Sequence, residues 1–180
     1  MKYSDGSEVR APGTVIVSAA GQVEEHRKCV TPDLKQVPSS LLLYVDFSGS
    51  EEFPIGASAL SQVIGNPGLN VPELDLKVFQ AAFELIQGLV SDELILSGHD
   101  ISAGGLLTAV CEMAFAGDCG VEIDLKHLCG NGVPACLFCE KPAAVIQVES
   151  TKLEQIEKRF SAARVKAVAI GRVLAEKEVR

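Results

Sequence analysis

From Leu41 to Phe47 the chain reads LLLYVDF, an unbroken apolar run of strand length. A run without alternation predicts a strand covered on both faces. Thr14 to Val23, TVIVSAAGQV, is rich in β-branched residues and follows Pro12-Gly13, so it predicts a strand leaving a turn. The polar stretch between them, EEHRKCVTPDLKQVPSS, carries two prolines and reads as a surface loop. After a break at Phe53 to Ser58, ALSQVIG predicts a short helix. Phe79, Ala82, Phe83, Ile86, Leu89 and Val90 recur at helical spacing. That helix is predicted to open at Pro72, with Glu73 and Asp75 at the positive end of its dipole.

Leu94 to Ser97 predicts a short buried strand, and Leu106, Leu107, Val110, Met113 and Ala114 form the stripe of a further helix ending at Gly117. GVEIDL from Gly120 alternates like an edge strand, and AAVIQVE from Ala143 is another strand. TKLEQIEKRFSA from Thr151 is an amphipathic helix, and VKAVAIGRVL from Val165 closes the pattern as a strand. The order β-β-α-α-β-α-β-α-β predicts an α+β domain, a layered mixed sheet with packed helices. No repeat or long linker divides the chain, so residues 1–180 read as one domain.

Composition narrows the function classes. Sixteen Lys and Arg against twenty-four Asp and Glu leave a net charge of −8. That repels phosphate backbones and anionic lipid at long range, arguing against nucleic-acid or membrane-surface binding. Phosphate would have to be met locally, by backbone amides or a bridging cation. No apolar stretch approaches the length of a membrane span. The polar opening MKYSDGSEVR reads as no secretory leader or transit peptide, and a cytoplasmic chain with six reduced thiols is expected. His127, Cys129, Cys136 and Cys139 include one C-x-x-C pair. Leu137 and Phe138 inside that pair suit core packing better than a zinc knuckle.

The most informative segment is GHDISAGGLL, from Gly98 to Leu107. A strand is expected to deliver His99 and Asp100 to its carboxyl end, after which Ser102, Gly104 and Gly105 turn into a helix. Such junctions are where layered α/β proteins bind ligands. Two readings stand side by side. Asp100 can hold Mg²⁺ that bridges to phosphate oxygens, with the glycines admitting a nucleotide. Equally, Asp100 or Ser102 can cap the helix while the glycines allow close packing. Gly56-Ala57-Ser58-Ala59 and Thr31-Pro32-Asp33 are weaker candidates of the same kind, each explained by ordinary cap and turn chemistry.

Six ordered blocks carry a resemblance. RAPGTVIVSA, KCVTPDLK, IGASALSQV, GHDISAGGLL, EMAFAGDCGVEIDL and LFCEKPAAVIQV, between Arg10 and Val148, resemble the large form of the phosphoribosylformylglycinamidine synthase family, also called formylglycinamide ribonucleotide amidotransferases. The HD-x-S-x-GGL and EMAFAG blocks are the most specific. The resemblance places the chain at the second of two α+β lobes of the synthetase core, the C-terminal-type domain shared with aminoimidazole ribonucleotide synthetase. The N-terminal-type lobes and the glutaminase domain would be partners outside this sequence, which looks like a piece of a longer polypeptide.

The resemblance implies a ligase using ATP, Mg²⁺ and glutamine to convert formylglycinamide ribonucleotide to its amidine in purine biosynthesis. ATP would activate the amide oxygen, and ammonia from glutamine would displace phosphate. By similarity Asp100 is a Mg²⁺ ligand, and Ser102, with Gly104 and Gly105, contacts nucleotide. The chain alone is expected to be inactive and to expose apolar surface around GHDISAGG. The alternative is a structural or regulatory module that holds a nucleotide without doing chemistry. Three departures stand out: Ala103 replaces a family Asp, Ala57 replaces a family Gly, and Cys139-Glu140-Lys141 stands where the family shows two consecutive acids.

Overall fold

The computed structural model describes residues 2–8, 15–23, 25–68, 70–129 and 132–180. Five strands form one sheet: β1 (Ser40–Asp46), β2 (Ser97–Asp100), β3 (Gly120–Ile123), β4 (Ala143–Glu149) and β5 (Ala167–Leu174). Their spatial order is β2-β4-β1-β5-β3. Helices α1 (Ala59–Val63), α2 (Leu76–Ser91), α3 (Gly105–Ala116), α4 (Lys126–Cys129), α5 (Val133–Phe138) and α6 (Leu153–Ala163) lie between and against the strands. This is the expected layered α+β architecture. Within it the sheet is less mixed than expected: among the described residues all four strand pairings are antiparallel, and the one parallel bridge joins Val121 to Val179.

The central strand explains the apolar run. Leu42 and Tyr44 on one face of β1 join Val145 and Ile170 under Leu106, Val110 and Met113 of α3. Leu43 and Val45 on the other face join Ile146 and Val148 under Ala82 and Leu89 of α2 and Ile156 and Phe160 of α6. Successive side chains of a strand point to opposite faces, so helices on both sides leave no polar position inside it. Gln147, fully buried, is the exception on β4. It accepts from Lys35 N and Ser97 Oγ and donates to Lys35 O and Ser40 Oγ, at 2.7–3.2 Å. All its hydrogen-bonding capacity is used to fasten the polar loop to the sheet.

Five elements differ from the pattern's prediction. Residues 15–23 form no strand, and Val15, Ile16 and Val17 are more than 80% exposed. β-propensity alone makes no strand where no partner strand is offered. Helix α2 starts at Leu76, four residues after Pro72, because the Asp75 side chain caps it by accepting from Lys77 N and Val78 N. Strand β2 lies three residues later than expected: Leu94 still bonds back to Leu89 of α2, and pairing with β4 begins at Leu96. Short helices α4 and α5 went unpredicted because four and six residues are too few to show a helical period. Gly117 does end α3, though with φ −83. A Cβ there would sit 2.4 Å from Leu34 O, so close approach of the polar loop is what requires glycine.

Candidate functional site

Strands β1 and β2 run in the same direction on either side of β4. Their last residues, Asp46 and Asp100, lie opposite Ala143 and Ala144, so both carboxylates sit at one end of the sheet. Asp100 faces outward, with its side chain 79% exposed. Its nearest partner is His99 Nδ1, 3.3 Å from Oδ1. His99 is held in turn by the Asp100 backbone oxygen at 2.7 Å and by Glu112 Oε2 of α3 at 3.1 Å. The imidazole therefore ties the end of β2 to α3 and leaves the Asp100 carboxylate free toward solvent.

Ser102 is exposed two residues further on, and Gly104 and Gly105 complete the turn. Both glycines have positive φ, +91 and +71. A Cβ at Gly104 would meet Thr108 Oγ1 at 2.1 Å, and one at Gly105 would meet Leu137 O at 2.6 Å. Glycine is thus required for backbone conformation and for α3 to lie against α5. The Gly104 amide donates to Glu140 Oε1 at 2.8 Å, and the Gly105 amide to Ser102 O at 3.0 Å. The turn therefore gathers all four predicted site residues, but two of its amides already have protein acceptors. The side chains of Asp100 and Ser102 remain open.

Glu140 brings in the second candidate turn. Its Oε1 also accepts from Ala59 N at 2.8 Å, beside Ser58, whose hydroxyl caps α1. Ala57 in that turn has φ +60, a left-handed conformation that explains the glycine common to the family there. Directly after Glu140, the Lys141 ammonium is buried. It pairs with Asp46 Oδ2, donates to Ser50 O at 2.6 Å and lies 4.2 Å from the Phe53 ring centre. The other Asp46 oxygen accepts from Ser48 N, Ser48 Oγ and Gly49 N at 2.6–3.1 Å. The Lys141 departure thus serves the interior, as counter-ion to Asp46.

The remaining candidates separate. Thr31 and Asp33 hydrogen-bond to each other, and Lys35 closes on Asp33. That pairing, chiefly with Lys35, holds the Asp33 carboxyl below its usual range. Thr31 O meets Gly98 N at 3.1 Å, bringing this loop beside β2. Cys136 and Cys139 are core residues whose thiols burial pushes up, and all six cysteines are free. Among the described residues no group of three or more His, Cys, Asp or Glu converges as a metal site. An apolar cleft of about 480 Å³ opens beside His99 and Asp100, lined by Val30, Phe47, Phe83, Ile86 and Val90. Phe83 is 51% exposed, and apolar surface does lie next to the turn.

Mg²⁺ commonly takes one or two carboxylates and fills its remaining positions with water and substrate phosphate. A single outward carboxylate with a neighbouring hydroxyl fits that mode; a protein-only cage does not exist here. Asp100 and Ser102 stand out as candidates in the sequence because they lie in one short segment. What Glu140 holds is not legible in the sequence, since its partners are 36 and 81 residues away.

The antiparallel sheet, the glycine turn into α3 and the helices on both faces define an α+β lobe with a glycine-locked turn at one end of its sheet. Residues 47–180 match the family model "AIR synthase related protein, C-terminal domain", and the chain belongs to that family. The human phosphoribosylformylglycinamidine synthase is 39% identical over 165 residues, 91% of this chain. The probable chloroplastic/mitochondrial synthase of Arabidopsis thaliana is 37% identical over 175 residues. The chain spans about 12% of the length of each of these relatives. In fold it resembles T. maritima PurL complexed with ATP, with TM-score 0.63 and 17% identity over 84% of this chain and 24% of that one. It also resembles E. coli HypE, a hydrogenase maturation protein, with TM-score 0.58 and 24% identity, covering 84% of this chain and 48% of that one. No helix among the described residues is long and apolar enough to cross a membrane.

Proposed function

We propose that this chain forms a lobe of a phosphoribosylformylglycinamidine synthase, the ligase that uses ATP and glutamine to turn formylglycinamide ribonucleotide into its amidine. Identity of 37–39% with curated synthases over more than nine-tenths of the chain carries this reading. In this reading the remaining synthetase lobes and the glutaminase of a longer polypeptide are its partners, and the 12% share of the relatives it spans is consistent with that. In this reading Asp100 holds Mg²⁺, and the Ser102 hydroxyl contacts the triphosphate. The metal supplies charge neutralisation on phosphate oxygens. The chain's own part is to aim one carboxylate and one hydroxyl outward from a turn whose backbone is locked by Gly104 and Gly105.

A nucleotide-holding module without chemistry is the second reading. Asp100 as the turn's single outward-facing carboxylate favours it, since Ala103 removes the neighbouring acid common in the family and no larger acidic group converges there among the described residues. Calorimetric titration of Mg-ATP into this chain tests the shared part of both readings. Binding that weakens at least tenfold in Asp100→Ala supports the nucleotide site; equal binding by both proteins refutes the role of Asp100. Reconstitution of Asp100→Asn in a full-length synthase separates the two, because only the catalytic reading expects turnover to collapse while the fold persists.

A further inference from the structure

Helix α3 is preceded by Gly104, its N-cap residue in a left-handed conformation, and has no side-chain cap from its own segment. The first amides of a helix lack intrahelical acceptors and need partners from elsewhere. For the Gly104 amide that partner is Glu140, from the link between α5 and β4. The same oxygen, Oε1, serves the Ala59 amide at the first position of α1, both at 2.8 Å. One carboxylate oxygen therefore joins the turn at residues 56–59 to the turn at residues 102–105. Glu140 is itself steadied by its neighbour, because Lys141 is locked between Asp46 Oδ2, Ser50 O and the Phe53 ring.

We propose that Glu140 is a positioning residue that couples these two turns and so sets where Ser102 and Asp100 stand. It supplies the negative charge that the α3 terminus attracts, in the place a phosphate would otherwise take. A nucleotide at this turn then engages the chain through the Asp100 and Ser102 side chains rather than the Gly104 amide. This last consequence rests on the nucleotide reading above; the coupling does not.

Amide hydrogen exchange read by NMR on this chain tests it, with Glu140→Ala, Glu140→Gln and the unsubstituted protein compared. Loss of a charge-assisted acceptor shared by two amides should speed exchange at both Ala59 and Gly104 by roughly tenfold or more in Glu140→Ala. Rates at α6 amides, remote from Glu140, should stay unchanged. Glu140→Gln keeps a carbonyl oxygen and should restore most of the protection at both sites, while both amide proton signals move upfield from loss of the charge. If Glu140→Ala does not fold, the paired signal shifts in Glu140→Gln decide the matter. Ala59 and Gly104 responding separately, or no more than α6, would overturn the proposal. In parallel, Mg-ATP affinity should fall in Glu140→Ala with Asp100 and Ser102 intact. Failure of the unsubstituted chain to bind Mg-ATP would sink the nucleotide reading and leave the exchange result to judge the coupling.

Discussion

Asp46 and Asp100 end two strands at the same end of one sheet, yet they live in opposite conditions. Asp46 is 2% exposed, its carboxylate surrounded by three donors and a buried lysine. Asp100 has its side chain 79% exposed, with only His99 beside it. A carboxylate with one oxygen held by three donors and the other against a buried ammonium serves structure and is shut away from any ligand. One that keeps its oxygens in solvent adds little to stability and remains available to a cation. Residue type and strand position do not distinguish the two; their neighbours do.

The largest effect should come from breaking the buried pair. Lys141→Met leaves Asp46 charged in the interior and should destabilise by about 3–5 kcal/mol in urea denaturation, whereas adding Asp46→Asn, which removes the charge and keeps an acceptor for Ser48 and Gly49, should recover most of the loss. A double variant as unstable as the single one would show that the two residues do not act as a pair.

The buried thiols of Cys136 and Cys139, the latter in the field of Asp46, sharpen the comparison through pH. Burial raises the folded-state pKa of Cys136 and Cys139. Their contribution to stability is fully present below the ordinary thiol range and lost as pH rises above about 9, where only the unfolded chain releases the protons. The urea midpoint should therefore fall between pH 8 and 10. Exposed Cys29 should meanwhile react with a thiol reagent well before Cys136 or Cys139. Equal reaction rates would contradict the buried environment.

Ala57 gives a smaller effect of opposite sign. At φ +60 it carries left-handed strain that glycine lacks, so Ala57→Gly should stabilise by up to about 1 kcal/mol, visible as a raised Tm. The smallest change in stability belongs to Asp100→Asn, expected within about 0.5 kcal/mol because the side chain is exposed. A loss comparable with that of Lys141→Met would erase the contrast between the two acids.

How far the sequence could be read depended on the distance over which each interaction acts. Strands β1, β4 and β5 and helices α3 and α6 carry their patterns within one segment and were legible. The β-branched run at residues 15–23 made no strand, and β2 shifted to Ser97–Asp100, because pairing depends on which edge is offered. At the candidate site, Asp100, Ser102 and the glycine pair were legible in one short block. The oxygen bridging Gly104 to Ala59 was not, nor was the lysine neutralising Asp46.

The amino-acid order alone determined the layered α+β class, the apolar strand sandwiched by helices and the segment where ligand chemistry would sit, because those follow from local periodicity and from side chains a few residues apart. Only the tertiary structure decided which acid is buried, which stays open and which residue holds the turns. Solvation and pairing of a charge are set by groups that the fold brings in from distant parts of the chain, such as Lys141 beside Ser50, 91 residues away.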